Sequence, residues 1–128
     1  MEFNKAWYTE EEVRQSGKPK YSDISKPPKW YLSRTLCKSA KAPVTEDEEP
    51  VAFRYNNSRH KYSALFDRKD LEMWRLPMYY PNETRPEGIV APAVASPRIK
   101  KGEKPVAYIR HIDSFTPLYA RPKANSSN

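Results

Sequence analysis

Apolar and polar residues alternate over two short stretches of the chain, and the two stretches match each other. Over 51–55, Val51, Phe53 and Tyr55 fall on one side of an extended chain, with Ala52 and Arg54 on the other. That period of two marks a half-buried strand. Asn56-Asn57-Ser58-Arg59 follows, a set of residues that tolerates turn conformations and bonds its own backbone. Tyr62, Ala64 and Phe66 then return on one side, with Lys61 and Ser63 opposite.

The second copy begins where Glu49-Pro50-Val51-Ala52-Phe53-Arg54-Tyr55 recurs as Lys104-Pro105-Val106-Ala107-Tyr108-Ile109-Arg110. Ala64-Leu65-Phe66-Asp67-Arg68 recurs as Pro117-Leu118-Tyr119-Ala120-Arg121, past a turn at His111-Ile112-Asp113-Ser114. The offset falls from 55 to 53, so the length difference lies in the turn. The pattern predicts two β-hairpins, 49–68 and 104–121. If the copies are structurally equivalent, Val51 and Val106 should both be buried, as should Phe53 and Tyr108.

Helical signals are short. Thr9-Glu10-Glu11-Glu12 has capping-box spacing, its carboxylates lie at the positive end of the helix dipole, and Gly17 stands ready to end the helix. Asp67 is placed to cap a second helix running to Trp74, with Leu71 and Trp74 on one face. Residues 18–48 show little periodicity and are expected to be mostly irregular. Pro77, Pro81, Pro86, Pro92 and Pro97 punctuate 77–97, which reads as an extended, proline-rich connection against which Met78-Tyr79-Tyr80 and Ile89-Val90 can pack. Residues 124–128 have nothing to bury and should fray. The expectation is one small α+β domain over 1–128: an antiparallel sheet from two repeated hairpins, one or two short helices and extended connections.

Composition supports a small core. Ile, Leu, Val and Phe number only 21 of 128 residues, a level at which a charged chain approaches disorder, but 9 Tyr and 3 Trp can supply core area from few positions. No apolar run is long enough to span a bilayer, and the N-terminus lacks the apolar stretch of a secretory signal. A lone cysteine, Cys37, excludes an internal disulfide framework and suits a reducing cytosol.

Thr9 and Gly17, with Trp7 just ahead, together with Lys101-Gly102-Glu103-Lys104-Pro105-Val106 leading into a strand, resemble the single-strand-binding N-terminal domain of ArdC-type antirestriction proteins. Glu48-Glu49-Pro50-Val51 looks like a degenerate version of the same turn. Proteins of that family are carried by conjugative plasmids and phages. The resemblance implies single-stranded DNA binding and an antirestriction-like role.

Charge points in the same direction. The net charge is +7, and Arg14 to Lys41 alone carries eight cations against a single acid, Asp23. Cations neutralise phosphates and release counterions, while aromatic faces stack on unpaired bases. Lys18, Lys20, Lys26, Lys29, Arg34 and Lys38, interleaved with Tyr21, Trp30 and Tyr31, are therefore candidate nucleic-acid contacts. No long basic helix is evident to enter a major groove, so single strands, DNA or RNA, are the expected partner.

A second cationic group comprises Arg98, Lys100, Lys101, Lys104, Arg110, Arg121 and Lys123. Were the hairpins to share a sheet, Arg54, Lys101 and Arg110 would line one face. The plainer reading of the second group is edge protection against strand pairing. The plainer reading of Trp30 and Tyr31 is core filling, and that of Glu46-Asp47-Glu48-Glu49 is a solvated turn.

Catalytic chemistry finds little footing. His60 and His111 have no evident carboxylate partner by spacing, Cys37 has no identifiable base even if Lys38 lowers its pKa, and three isolated glycines build no phosphate-cradling loop. No catalytic residue, metal or cofactor is expected. The same Tyr, Trp and Arg side chains also suit protein hot spots. The alternative reading is thus an interaction protein that inhibits or adapts a host protein complex.

Overall fold

A computed structural model describes residues 3–92 and 99–121. The chain divides into two compact units, Met1–Lys69 and Asp70–Asn128. The first contains α1 (Glu10–Ser16), β1 (Lys20–Tyr21), β2 (Tyr31–Leu32), α2 (Arg34–Ser39), β3 (Ala52–Asn56) and β4 (Lys61–Asp67). The second contains a 3-10 turn (Glu72–Arg75), β5 (Met78–Tyr79), β6 (Ile89–Val90), β7 (Ala107–Arg110) and β8 (Phe115–Ala120). This is a small α+β fold built largely of strands and hairpins.

The two units share one topology. The sheet orders are β1-β3-β4-β2 and β5-β7-β8-β6. In each, the central hairpin is antiparallel, the first short strand joins it in parallel and the second joins it antiparallel on the other edge. The sheets are therefore mixed rather than purely antiparallel. The correspondence extends to single hydrogen bonds. The Phe53 N–H donates to the Pro19 carbonyl at 2.9 Å and the Tyr108 N–H to the Pro77 carbonyl at 3.1 Å. The Val51 N–H reaches Leu65 O, and the Val106 N–H reaches Leu118 O, both at 2.8 Å.

The proline-rich stretch is not a plain connection: Met78–Tyr79 and Ile89–Val90 are the edge strands of the second sheet. Pro77, Pro81, Pro86 and Pro92 flank these strands rather than interrupt them, so no ladder donor is lost. Pro117 does lie within β8, opposite Tyr108. Because the Tyr108 N–H is directed to Pro77, that pair exchanges no hydrogen bonds, and Pro117 needs no donor toward β7.

Local signals at α1 act as expected. Thr9 Oγ1 accepts from the Glu12 N–H at 3.1 Å, Glu12 Oε1 accepts from the Thr9 N–H at 2.9 Å, and Gly17 ends the helix at φ 72°. Between 18 and 48, where irregular chain is expected, β1, β2 and α2 form; Ser33 caps α2 by accepting from the Leu36 N–H. The helix expected after Asp67 is reduced to the 3-10 turn, which has no side-chain cap at Leu71. Asp67 Oδ1 instead accepts from the Lys69 N–H at 2.9 Å.

Burial departs from the alternation at the valines. Val106 is 37% exposed and Val51 half-buried, whereas Ala52 and Ala107 face inward. Phe53 is fully buried, but its counterpart Tyr108 is only half-buried. Equivalence of the copies thus lies in backbone pairing, not in the burial of each matched side chain. In the first unit Phe53, Ala64 and Phe66 are buried on one face of the sheet and Ala52 and Leu65 on the other, and Tyr8, Val13, Leu32 and Leu36 are buried as well. The second is centred on Ala107, Ile109 and Leu118, with Tyr79, Ile89 and Ala91 against them. Pro97, Arg98, Lys123 and the tail 124–128 lie outside the described residues.

Candidate nucleic-acid interface

Strand register assembles the first-unit candidates. Tyr21 pairs with Arg54 and Arg54 with Ser63, so these three share one face of the sheet. Alternation places Ala52 and Leu65 on that same face, and Asp67, paired with Tyr31, joins them. In a flat sheet, β1 and β2 would stand three strand spacings apart, about 14 Å. The Tyr21 and Tyr31 rings nevertheless meet edge to face with centroids 6.3 Å apart. The sheet therefore curls across its central hairpin. Both tyrosines are half-buried.

The candidate cations of the first unit differ in their surroundings, and Lys20, in register with Phe53, points to the opposite face from Tyr21. Lys20, Lys26, Lys29 and Lys38 are exposed. Arg54 is paired with Asp23 at 3.5 Å. Lys18 lies 3.5 Å from Glu49 and 5.5 Å from the Phe3 ring centroid. Arg34 is turned inward: it donates to the Phe3 carbonyl, stacks 5.0 Å from the Phe66 ring, and its buried Nε has no partner. Trp30 is half-buried, and its carbonyl accepts the Arg68 N–H at 2.9 Å. Of these cations, Lys18, Arg34 and Arg54 have structural engagements that the charge pattern does not reveal.

The second cationic group does not join this face by strand pairing. Arg54 and Arg110 belong to different sheets, and the register makes Ile109, not Arg110, the counterpart of Arg54. Arg110 stacks 5.8 Å from the Phe115 ring, while Lys100, Lys101 and Lys104 are exposed ahead of β7. Arg121 is engaged by Glu103 at 2.5 and 3.0 Å. In the acidic run, Glu48 is likewise a structural residue: it receives Arg68 Nη1 at 2.5 Å and Nη2 at 2.8 Å. That contact holds its carboxyl below the usual range.

The groups considered for catalysis are accounted for locally. Cys37 is fully buried, and its thiol is pushed up to about 11 chiefly by that burial, contrary to the lowering expected from Lys38. His60 Nδ1 lies 3.0 Å from the Tyr55 hydroxyl, and His111 Nε2 lies 2.8 Å from Thr116 Oγ1. Among the described residues no cluster of three or more His, Cys, Asp or Glu side chains could hold a metal ion, and no helix is long and apolar enough to cross a membrane.

Comparison with family models, with curated proteins and with solved structures finds no match for this chain. The site therefore rests on its own geometry. Sequence reading missed Asp23 as the partner of Arg54, and Ser63 and Asp67 as members of the face; only register brings these together.

Proposed function

We propose that this protein is a non-catalytic accessory protein of a phage or another mobile element, acting in the bacterial cytoplasm by binding single-stranded nucleic acid. The observation that carries the reading is the face on which Tyr21, Tyr31 and Arg54 converge, with exposed Lys26 and Lys29 in the chain that joins the two tyrosines. Half-exposed rings offer stacking surfaces to unpaired bases, and lysines on the flanking chain supply phosphate contacts. The edge-to-face ring pair leaves the tyrosines preorganised, which lowers the ordering cost of binding. The resemblance of Thr9–Gly17 and Lys101–Val106 to ArdC-type single-strand-binding domains supports the same reading and suggests a role against host restriction.

A salt titration of oligonucleotide affinity tests it. Binding should weaken steeply with salt, and Lys26→Ala with Lys29→Ala should reduce the slope by up to about two units. Tyr31→Ala should weaken binding while leaving most of the slope, since stacking releases few counterions. Absence of oligonucleotide binding at low salt would overturn the reading in favour of docking on a host protein.

A further inference from the structure

Asp23 is the single acid between Arg14 and Lys41, and it is not spent on a distant surface. Its Oδ1 lies 3.5 Å from Arg54 Nη2, and its Oδ2 accepts from Asn57 Nδ2 at 2.8 Å. The Asp23 side chain is 68% exposed and that of Arg54 37% exposed, so both can be reached from solvent. Just ahead of Ile24, the chain turns tightly: the Ser22 N–H donates to the Ser25 carbonyl, and the Ser22 hydroxyl oxygen accepts from the Ile24 and Ser25 N–H groups. That turn presents the Asp23 carboxylate to the end of the guanidinium.

The second copy identifies which part of this arrangement the fold itself does not require. At the positions of Tyr21, Tyr31, Arg54 and Asp67 it carries Tyr79, Ile89, Ile109 and Ala120. There the same backbone face is closed as an apolar core around Ile109. The shared sheet topology therefore forms with isoleucine in place of the arginine. A half-exposed cation at this position, held by a carboxylate, is a feature of the first copy alone.

We propose that Asp23 occupies the place of a nucleic-acid phosphate on Arg54, and that a bound single strand displaces it while its bases stack on Tyr21 and Tyr31. This rests on the single-strand reading above and adds an intramolecular competitor to it. The carboxylate neutralises Arg54 in the free protein, so affinity is set by the difference between the phosphate and Asp23 as partners of one guanidinium. An exposed pair of this kind is weak, which suits a contact that must be exchanged.

The test uses the full chain and fluorescence anisotropy with short labelled oligothymidylate and oligouridylate, at low and moderate salt. Asp23→Asn should tighten binding by about two- to fivefold, the range expected for releasing one exposed ion pair. Asp47→Asn, a charge-matched change at an exposed position of the same unit, should tighten it less. In an Arg54→Met background, Asp23→Asn should lose its excess over Asp47→Asn, and Arg54→Lys, which keeps the charge, should retain part of it. Equal gains from Asp23→Asn and Asp47→Asn would overturn the competitor role while leaving single-strand binding intact. The same holds if the Asp23→Asn excess survives in the Arg54→Met background. No binding by any variant at low salt would overturn both.

Discussion

Arg121 closes a two-point ion pair on Glu103, with Nη1 2.5 Å from Oε2 and Nη2 3.0 Å from Oε1. The pair ties the end of β8 to the turn that leads into β7, and Arg68 does the same on Glu48 in the first unit. Each carboxylate also accepts a backbone N–H from three residues earlier, from Lys100 and from Thr45 respectively. The planar guanidinium fork matches the two carboxylate oxygens in a way that lysine cannot reproduce.

Acid should loosen the second unit through this pair. Hydrogen bonding to Arg121, and then to the Lys100 N–H, lowers the Glu103 pKa from 4.5 to about 2. A depressed carboxylate contributes stability that is complete above its unfolded value and is lost as pH falls through its folded value. The difference in melting temperature between wild type and Arg121→Met should therefore be largest near neutrality and shrink between about pH 4.5 and pH 2. A gap independent of pH across that window would show that Arg121 stabilises by packing alone.

Cys37 should be inert in the folded protein. It is fully buried, its Sγ lies 3.7 Å from the Leu32 carbonyl, and its pKa is about 11, so the reactive thiolate is scarce and screened from solvent. Labelling by a thiol-specific disulfide reagent should be slow under native conditions and rapid in denaturant. Prompt native labelling would mean that α2 opens readily from the sheet.

Gly88 should resist substitution. Its φ is +90°, and an added Cβ would stand 3.1 Å from the Arg121 carbonyl oxygen, a backbone atom that cannot swing aside. Gly88 also supplies the carbonyl that accepts the Arg121 N–H at 2.6 Å. Gly88→Ala should cost about 1–3 kcal/mol, the range for a strained backbone position. Denaturant melts followed by Trp74 fluorescence in a Trp7→Phe, Trp30→Phe background would measure it, and an unchanged midpoint would place the strain elsewhere.

What the sequence by itself determined is what neighbours in the chain decide among themselves. Thr9, Glu12 and Gly17 act within one or two helical turns, so α1 is legible from their spacing. The two hairpins are legible for the same reason: alternation and a short turn specify pairing between adjacent segments, and the repeated Pro-Val-Ala marks the copies. Tertiary structure decided the rest. β1, β2, β5 and β6 have two residues each, too few to display a period, and Lys20 finds its partner at Phe53, thirty-three residues away. Nothing local encodes that parallel pairing, because its hydrogen bonds become favourable only once the hairpin exists to receive the strand.

The inward face is decided in the same way. Alternation gives two sides but not which one is covered, so Val106 is exposed while Ala107 and Ile109 are buried. The candidate site is more dependent still on tertiary contact. Charge composition marks Arg14 to Lys41 as cationic, yet Arg34 turns toward Phe66, and Lys18 pairs with Glu49. Only strand register sets Tyr21 beside Arg54, and only the curl of the sheet brings Tyr21 to Tyr31. Periodicity along one segment is a local property; the meeting of two edges across a curled sheet depends on every strand between them.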